Sequence, residues 1–215
     1  MDQGEEKIKI DTENFERKTN YNRYIQHAQP CINITARLDI TNIIKFVKLH
    51  KTKLNCLLCF TVLQTAQSIK EFHYFIEDDG LYFYKNCKTN AVAKAQNGEL
   101  VFVDFGYCEK YSDFEHQYEE NMKWCIKNCE HLQSVVGARI GTSVVKDFPL
   151  VSMNVPYTDD FKDTFLVWGG YEKKGFKYYL NMSLRFHHGL MDGEHAGIFF
   201  QRLQENMRKI HKLGK

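Results

Sequence analysis

The chain has 215 residues, enough for one large domain or two small ones. Its 29 Lys+Arg are interspersed with 27 Asp+Glu, and the formal charge of +2 excludes a global positive field for nucleic acid. Hydrophobic residues at 43% supply a sizeable core, while the longest apolar stretch, around Leu57 to Leu63, falls well short of the ~20 residues of a membrane helix.

Taken in chain order, helical spacing first appears after Thr41, where Ile43, Ile44, Phe46 and Val47 form one apolar face behind a Thr or Asp cap. A second helix is predicted from about Leu54 to Ile69. Between Phe72 and Val103 the pattern changes to short runs rich in Tyr, Phe and Val, separated by Asp78-Asp79-Gly80 and by Asn97-Gly98. Those are turn and hairpin signals, so an antiparallel region is expected. A third helix fits Ser112 to Cys129. Strands fit Ile140 to Val155, Thr164 to Trp168 and Phe176 to His187, and a last helix fits Glu194 to Ile210. Helices and hairpins without βαβ alternation give an α+β fold. Only three prolines and scattered glycines leave no linker, so residues 1–215 read as a single domain.

Seven cysteines (Cys31, Cys56, Cys59, Cys87, Cys108, Cys125 and Cys129) follow a charged start with no apolar secretory segment. Reduced thiols in a cytoplasmic protein are expected. Cys56-Leu57-Leu58-Cys59 lies inside an apolar helical pattern and reads as core rather than a redox or zinc pair. Cys125 and Cys129, one turn apart near His131, fall short of a zinc signature.

The most informative strand is Tyr178 to His188, because a period of two sorts its side chains. Leu180, Met182, Leu184, Phe186 and His188 share one face. Tyr179, Asn181, Ser183, Arg185 and His187 share the other. If the first face is buried, His188 ends an apolar row and is the better candidate for a general base. Gly189-Leu190-Met191-Asp192-Gly193 then makes a glycine-bracketed turn into the last helix.

His187-His188 through Asp192-Gly193 resembles the HHxxxDG signature of the chloramphenicol acetyltransferases, enzymes that inactivate an antibiotic. The likeness extends to Asn14-Phe15-Glu16-Arg17-Lys18 with Tyr24, to Leu38-Asp39-Ile40-Thr41, to Glu71-Phe72 through Asp79-Gly80-Leu81, and to Gln201 through Glu205. The resemblance implies a two-layer α+β sandwich with a mixed or antiparallel sheet and packed helices, the fold of CoA-dependent acyltransferases. It implies a homotrimer with active sites between subunits, acetyl-CoA as cosubstrate and a small-molecule acceptor, with no metal, nucleic acid or membrane. Carried over, His188 is the general base and Asp192 pairs with Arg17. Tyr24, Cys31, Thr142, Met153 and Val167 bind substrate, Tyr24 lining an acceptor pocket supplied by the neighbouring subunit.

Two positions depart from the family pattern. Where the family supplies a serine that stabilises the oxyanion, this sequence has Gly141, and a family threonine aligns with Val167. Thr142, Ser143 or backbone must then replace the donor, and a member that binds a small hydrophobic ligand without transfer is the alternative. Bland readings stand beside these. His188, Asp192 and His195 have the i, i+4, i+7 spacing of a helical metal site, but the flanking glycines make the stretch a turn. The row Phe72, Tyr74, Phe75, Tyr82, Phe83 and Tyr84 suits strands in general. Arg208, Lys209, His211, Lys212 and Lys215 complement a helix C-terminus rather than CoA phosphates.

Overall fold

In the computed structural model, which describes residues 6–134, 137–155 and 162–213, two sheets pack beside five α-helices. Lys215 of the terminal cation series lies outside the described residues. The smaller sheet has three antiparallel strands in the order β1 (Lys7–Lys9), β4 (Gly80–Tyr84), β3 (Tyr74–Glu77), and Asp78-Asp79 forms the turn between β3 and β4. The larger sheet runs β2 (Cys31–Asp39), β10 (Lys177–His187), β8 (Thr164–Trp168), β7 (Arg139–Val144), β5 (Lys88–Lys94), β6 (Leu100–Gly106), with β9 (Glu172–Lys174) on β10. The antiparallel region expected from Phe72 to Val103 is thus split between two sheets. The large sheet is mixed, because β7 pairs in parallel with both β5 and β8.

The helix periods hold, with boundaries moved by a few residues. They become α2 (Thr41–His50), α3 (Leu54–Gln67), α4 (Tyr111–Asn128) and α5 (Gly193–Lys209). Asp39 accepts a hydrogen bond from the Thr41 amide at 3.0 Å, satisfying a donor that the first turn leaves open. Almost every side of α3 is buried, as befits a helix apolar all round, and it forms the middle of the helical layer against α2, α4 and α5. Among the described residues no helix is long and apolar enough to cross a membrane.

One helix, α1 (Lys18–Tyr24), has no apolar period, and only Tyr21 in it is buried. Tertiary contact holds it: Tyr21 meets Phe15 edge-on at 6.0 Å. The strand expected over Ile140 to Val155 stops at Val144. Asp147 has φ 62, Pro149 offers no N–H to a ladder, and the chain leaves the sheet. The segment running on to Val155 crosses the sheet face opposite the helices. Asn181 Nδ2 donates to Leu150 O at 2.7 Å, Asn33 Nδ2 donates to Met153 O at 2.8 Å, and the Met153 amide donates to Ser183 Oγ at 3.0 Å.

The period of β10 sorts residues as expected from Leu180 to Phe186. Leu180, Met182, Leu184 and Phe186 are buried in the helix-side core, each contributing about 1.5–3 kcal/mol relative to exposure. The other face is not solvent, however. Ser183, Arg185 and His187 are buried as well: Ser183 lies beneath the crossing segment and beside Val167, Arg185 is beside Phe165, and His187 is opposite Cys31.

Candidate active site

The strand ends at His187, one residue earlier than the alternation needs to carry His188 onto the apolar face. The amides of Leu190 and Met191 both turn back to the His187 carbonyl, at 3.0 and 3.1 Å, and this pulls His188 out of the ladder. His188 therefore does not end the apolar row as the alternation predicts. His187 is 4% exposed, whereas His188 is half-buried in the turn. Gly189 is required by this path, since a Cβ there would lie 2.9 Å from His187 Cε1 and 3.1 Å from Tyr21 Cα.

The two rings are fixed in opposite tautomers. His187 Nδ1 accepts the Gly189 N–H at 3.0 Å, so that nitrogen carries no proton. Burial, reinforced by the neighbouring His188, pushes the His187 pKa down to about 4. His188 Nδ1 faces the Met191 carbonyl at 3.0 Å. A carbonyl only accepts, so Nδ1 carries the hydrogen and Nε2 is left with its lone pair. The His188 amide donates to Pro30 O at 2.8 Å, and the ring lies 4.3 Å from Tyr24, tilted by 48°. This contact is made within one chain.

Arg17 and Asp192 brace the turn. Arg17 Nη1 donates to Asp192 Oδ2 at 3.0 Å, and Nη2 reaches the His188 carbonyl at 3.5 Å. Asp192 is the N-cap of α5, its Oδ1 accepting from the Glu194 amide at 3.0 Å. Partial burial alone would raise its pKa, but hydrogen bonds from Arg17 and His195 prevail and pull it down to about 2. Sequence reasoning weighed His195 only as a metal ligand. The structure places it at position N3 of α5, with Nδ1 2.7 Å from Asp192 Oδ1. The signal that could have found it is the capping pattern, Asp at the N-cap with a hydrogen-bonding side chain three residues on. Among the described residues, no group of three or more His, Cys, Asp or Glu is placed to hold a metal ion.

Of the residues expected to bind substrate, Tyr24 and Cys31 adjoin this turn. Cys31 stands opposite His187 in the β2–β10 register, and burial pushes its thiol up to about 11. Met153 and Val167 lie further along the same sheet face, Val167 level with Ser183. Thr142 does not join them. Its side chain points to the helical layer, where Oγ1 donates to Asn90 O and lies 3.7 Å from Cys59 Sγ, so it is withdrawn as an oxyanion donor. Strand alternation puts Gly141 and Ser143 on the site face instead, Ser143 level with Val167. The Gly141 position is filled: a Cβ there would lie 2.3 Å from Phe165 Cδ2. A cavity of about 600 Å³ between α3 and the C-terminal part of α5, lined by Phe60, Arg202 and Lys209 among others, does not include His188.

A mixed sheet backed by helices thus presents a histidine lone pair at the turn into the last helix, an arrangement suited to a general base. The sequence profile of the chloramphenicol acetyltransferase family matches residues 6–204, and the chain belongs to that family. Relatives include chloramphenicol acetyltransferases of Vibrio anguillarum, 22% identical over 95% of this chain and 96% of that protein, and of Clostridium perfringens, 25% identical over 91% and 92%. The fold is similar to a solved chloramphenicol acetyltransferase, with TM-score 0.80 at 20% identity over 94% of this chain and all of that one. It is also similar to the dihydrolipoamide acetyltransferase of Azotobacter vinelandii, with TM-score 0.70 at 15% identity over 91% and 88%.

Proposed function

We propose that the protein transfers an acetyl group from acetyl-CoA to a hydroxyl of chloramphenicol or a similar small acceptor, with His188 as general base. The observation that carries this reading is the Nδ1–H of His188 held by Met191 O, which leaves Nε2 as the proton acceptor. In a ternary complex Nε2 takes the hydroxyl proton as the oxygen attacks the thioester carbonyl. The new C–O bond forms, the tetrahedral adduct collapses, the C–S bond breaks, and the proton passes from Nε2 to the departing thiolate. Ser143 is the side chain on this face that best replaces the missing oxyanion donor. Arg17 and Asp192 hold the turn and take no proton.

The active unit is a homotrimer of single-domain chains in the cytoplasm, with each site completed by a neighbour. Supporting this, Val167 is level with Ser183, four residues from the end of the strand at His187, or about 13 Å along an extended strand, with His188 in the turn beyond. One chain's imidazole does not span that distance, whereas a second copy facing it brings base and substrate-binding face together. Met153 and Val167 of the facing copy then line the acceptor side, while Cys31 and Tyr24 adjoin the base from within its own chain.

Acceptor-dependent release of CoA thiol, measured with chloramphenicol and a panel of small alcohols, tests the reading. Release that requires both substrates, with no acetylated protein by mass spectrometry, is the expected result. A second reading, ligand binding without transfer, is favoured by the Phe165 ring over Gly141. Binding of chloramphenicol with no thiol release from any acceptor would establish it.

A further inference from the structure

His195 sits between two carboxylates. Its Nδ1 is 2.7 Å from Asp192 Oδ1, and its Nε2 is 3.4 Å from Oε1 of Glu71, a residue of the short 3₁₀ helix Lys70–His73. Nδ1 also lies 3.2 Å from the Asp192 amide, an alternative contact in which the ring would accept. A carboxylate oxygen only accepts, so a 2.7 Å approach requires the hydrogen on Nδ1 and rules the amide contact out as a hydrogen bond. Asp192 therefore has both oxygens engaged: Oδ1 by His195 and the Glu194 amide, Oδ2 by Arg17. Arg17 in turn reaches the carbonyl of His188.

These contacts form one chain, from Glu71 through His195, Asp192 and Arg17 to the backbone of the base. Its flanking members are shielded, with the side chains of Glu71, His195 and Arg17 17%, 18% and 12% exposed, whereas Asp192 between them is 32% exposed. Helix capping alone does not need His195, since the Glu194 amide is satisfied by Asp192 directly. Nor does the Arg17 pair need it for charge. What His195 adds is direction, because it fixes the Asp192 carboxylate plane and so the oxygen presented to Arg17.

Resting on the proposed reading of His188, we infer that His195 is a positioning residue, which acts through Asp192 and Arg17 to hold the His188 turn in the geometry that leaves Nε2 as base.

His195→Asn and His195→Gln separate this role from simple space filling. The Asn amide nitrogen takes the place of Nδ1 and still donates to Asp192, whereas the Gln amide nitrogen takes the place of Nε2 and faces Glu71. The full chain with ¹⁵N-labelled histidine reports the His188 tautomer by NMR, and steady-state thiol release reports kcat and the KM for acetyl-CoA. The expected result is a wild-type tautomer and kcat within about threefold for His195→Asn. For His195→Gln we expect a mixed His188 tautomer and a kcat lowered about tenfold to a hundredfold at unchanged KM. Equal His188 tautomers in the two folded variants overturn the inference, as does a loss in His195→Asn equal to that in His195→Gln. If the wild-type protein releases no thiol with any acceptor, the functional reading fails, and the tautomer comparison still decides the positioning role.

Discussion

The ring of Phe165 lies across Gly141, its partner in the parallel register of β7 and β8, and leaves no room for a Cβ. The absent serine hydroxyl is thus not a gap but a volume taken by another side chain. Gly141→Ser is expected to lower stability by ~1–3 kcal/mol through overpacking. Adding Phe165→Val should relieve the clash, making the double variant more stable than Gly141→Ser alone in urea melts. With the hydroxyl admitted, thiol release should rise, by up to about 10². A single Gly141→Ser variant as stable as the parent would show that the ring moves aside at no cost.

Ser143 and Thr142 are adjacent but serve opposite faces of β7. Ser143→Ala is expected to lower kcat about 10²-fold, the size of one lost oxyanion donor. Thr142→Ser, which keeps the hydroxyl bonded to Asn90 O in the helix-side layer, should leave kcat unchanged. Kinetics in which Thr142→Ser is the impaired variant would reverse this assignment.

His187 carries a pH signature of its own. Its folded pKa of about 4 is below the ordinary value of about 6.5, so the unfolded chain takes up its proton first. The stability that His187 contributes is complete above about pH 6.5 and is lost progressively as pH falls to about 4. His187→Gln should flatten the stability curve in that window, measured by denaturant midpoints. An unchanged slope would mean that the buried ring does not titrate as placed.

Asp192 acts in a more acidic range. Its folded pKa of about 2 lies below the ordinary carboxylate value of about 3.9, so its contribution is present above about pH 4 and fades toward pH 2. The stability difference between wild type and Asp192→Asn should therefore shrink as pH falls from 5 to 2. A difference constant over that range would contradict the Arg17 and His195 hydrogen bonds to the carboxylate.

Much of this architecture could be read from local pattern. The faces of α2 and α5, the Asn97-Gly98 hairpin and the alternation of Leu180 to Phe186 depend on residues close in sequence, and they appear where that pattern puts them. Other features depend on distant partners. The residues of α1, Lys-Thr-Asn-Tyr-Asn-Arg-Tyr, carry no helical stripe, and the helix is held by Phe15 and the Gly189 turn. The Phe165 contact requires the β7–β8 register across a separation of more than twenty residues, and Gly141 alone gives no sign of it. His188 was legible as a special residue, but its place was not. Strand phase predicts a ring on the apolar face, whereas two amides returning to the His187 carbonyl end the strand one residue sooner. The contact of Tyr24 with the base of its own chain was likewise hidden, because it depends on how α1 packs.

The most direct test of the account is the rate of CoA thiol release from acetyl-CoA with chloramphenicol, compared between the wild-type protein and a folded His188→Ala variant. Removal of a positioned general base predicts a loss of at least about 10²–10⁴ in kcat, with acceptor binding retained. Equal turnover by the two proteins would contradict the assignment of Nε2 of His188 as the proton acceptor.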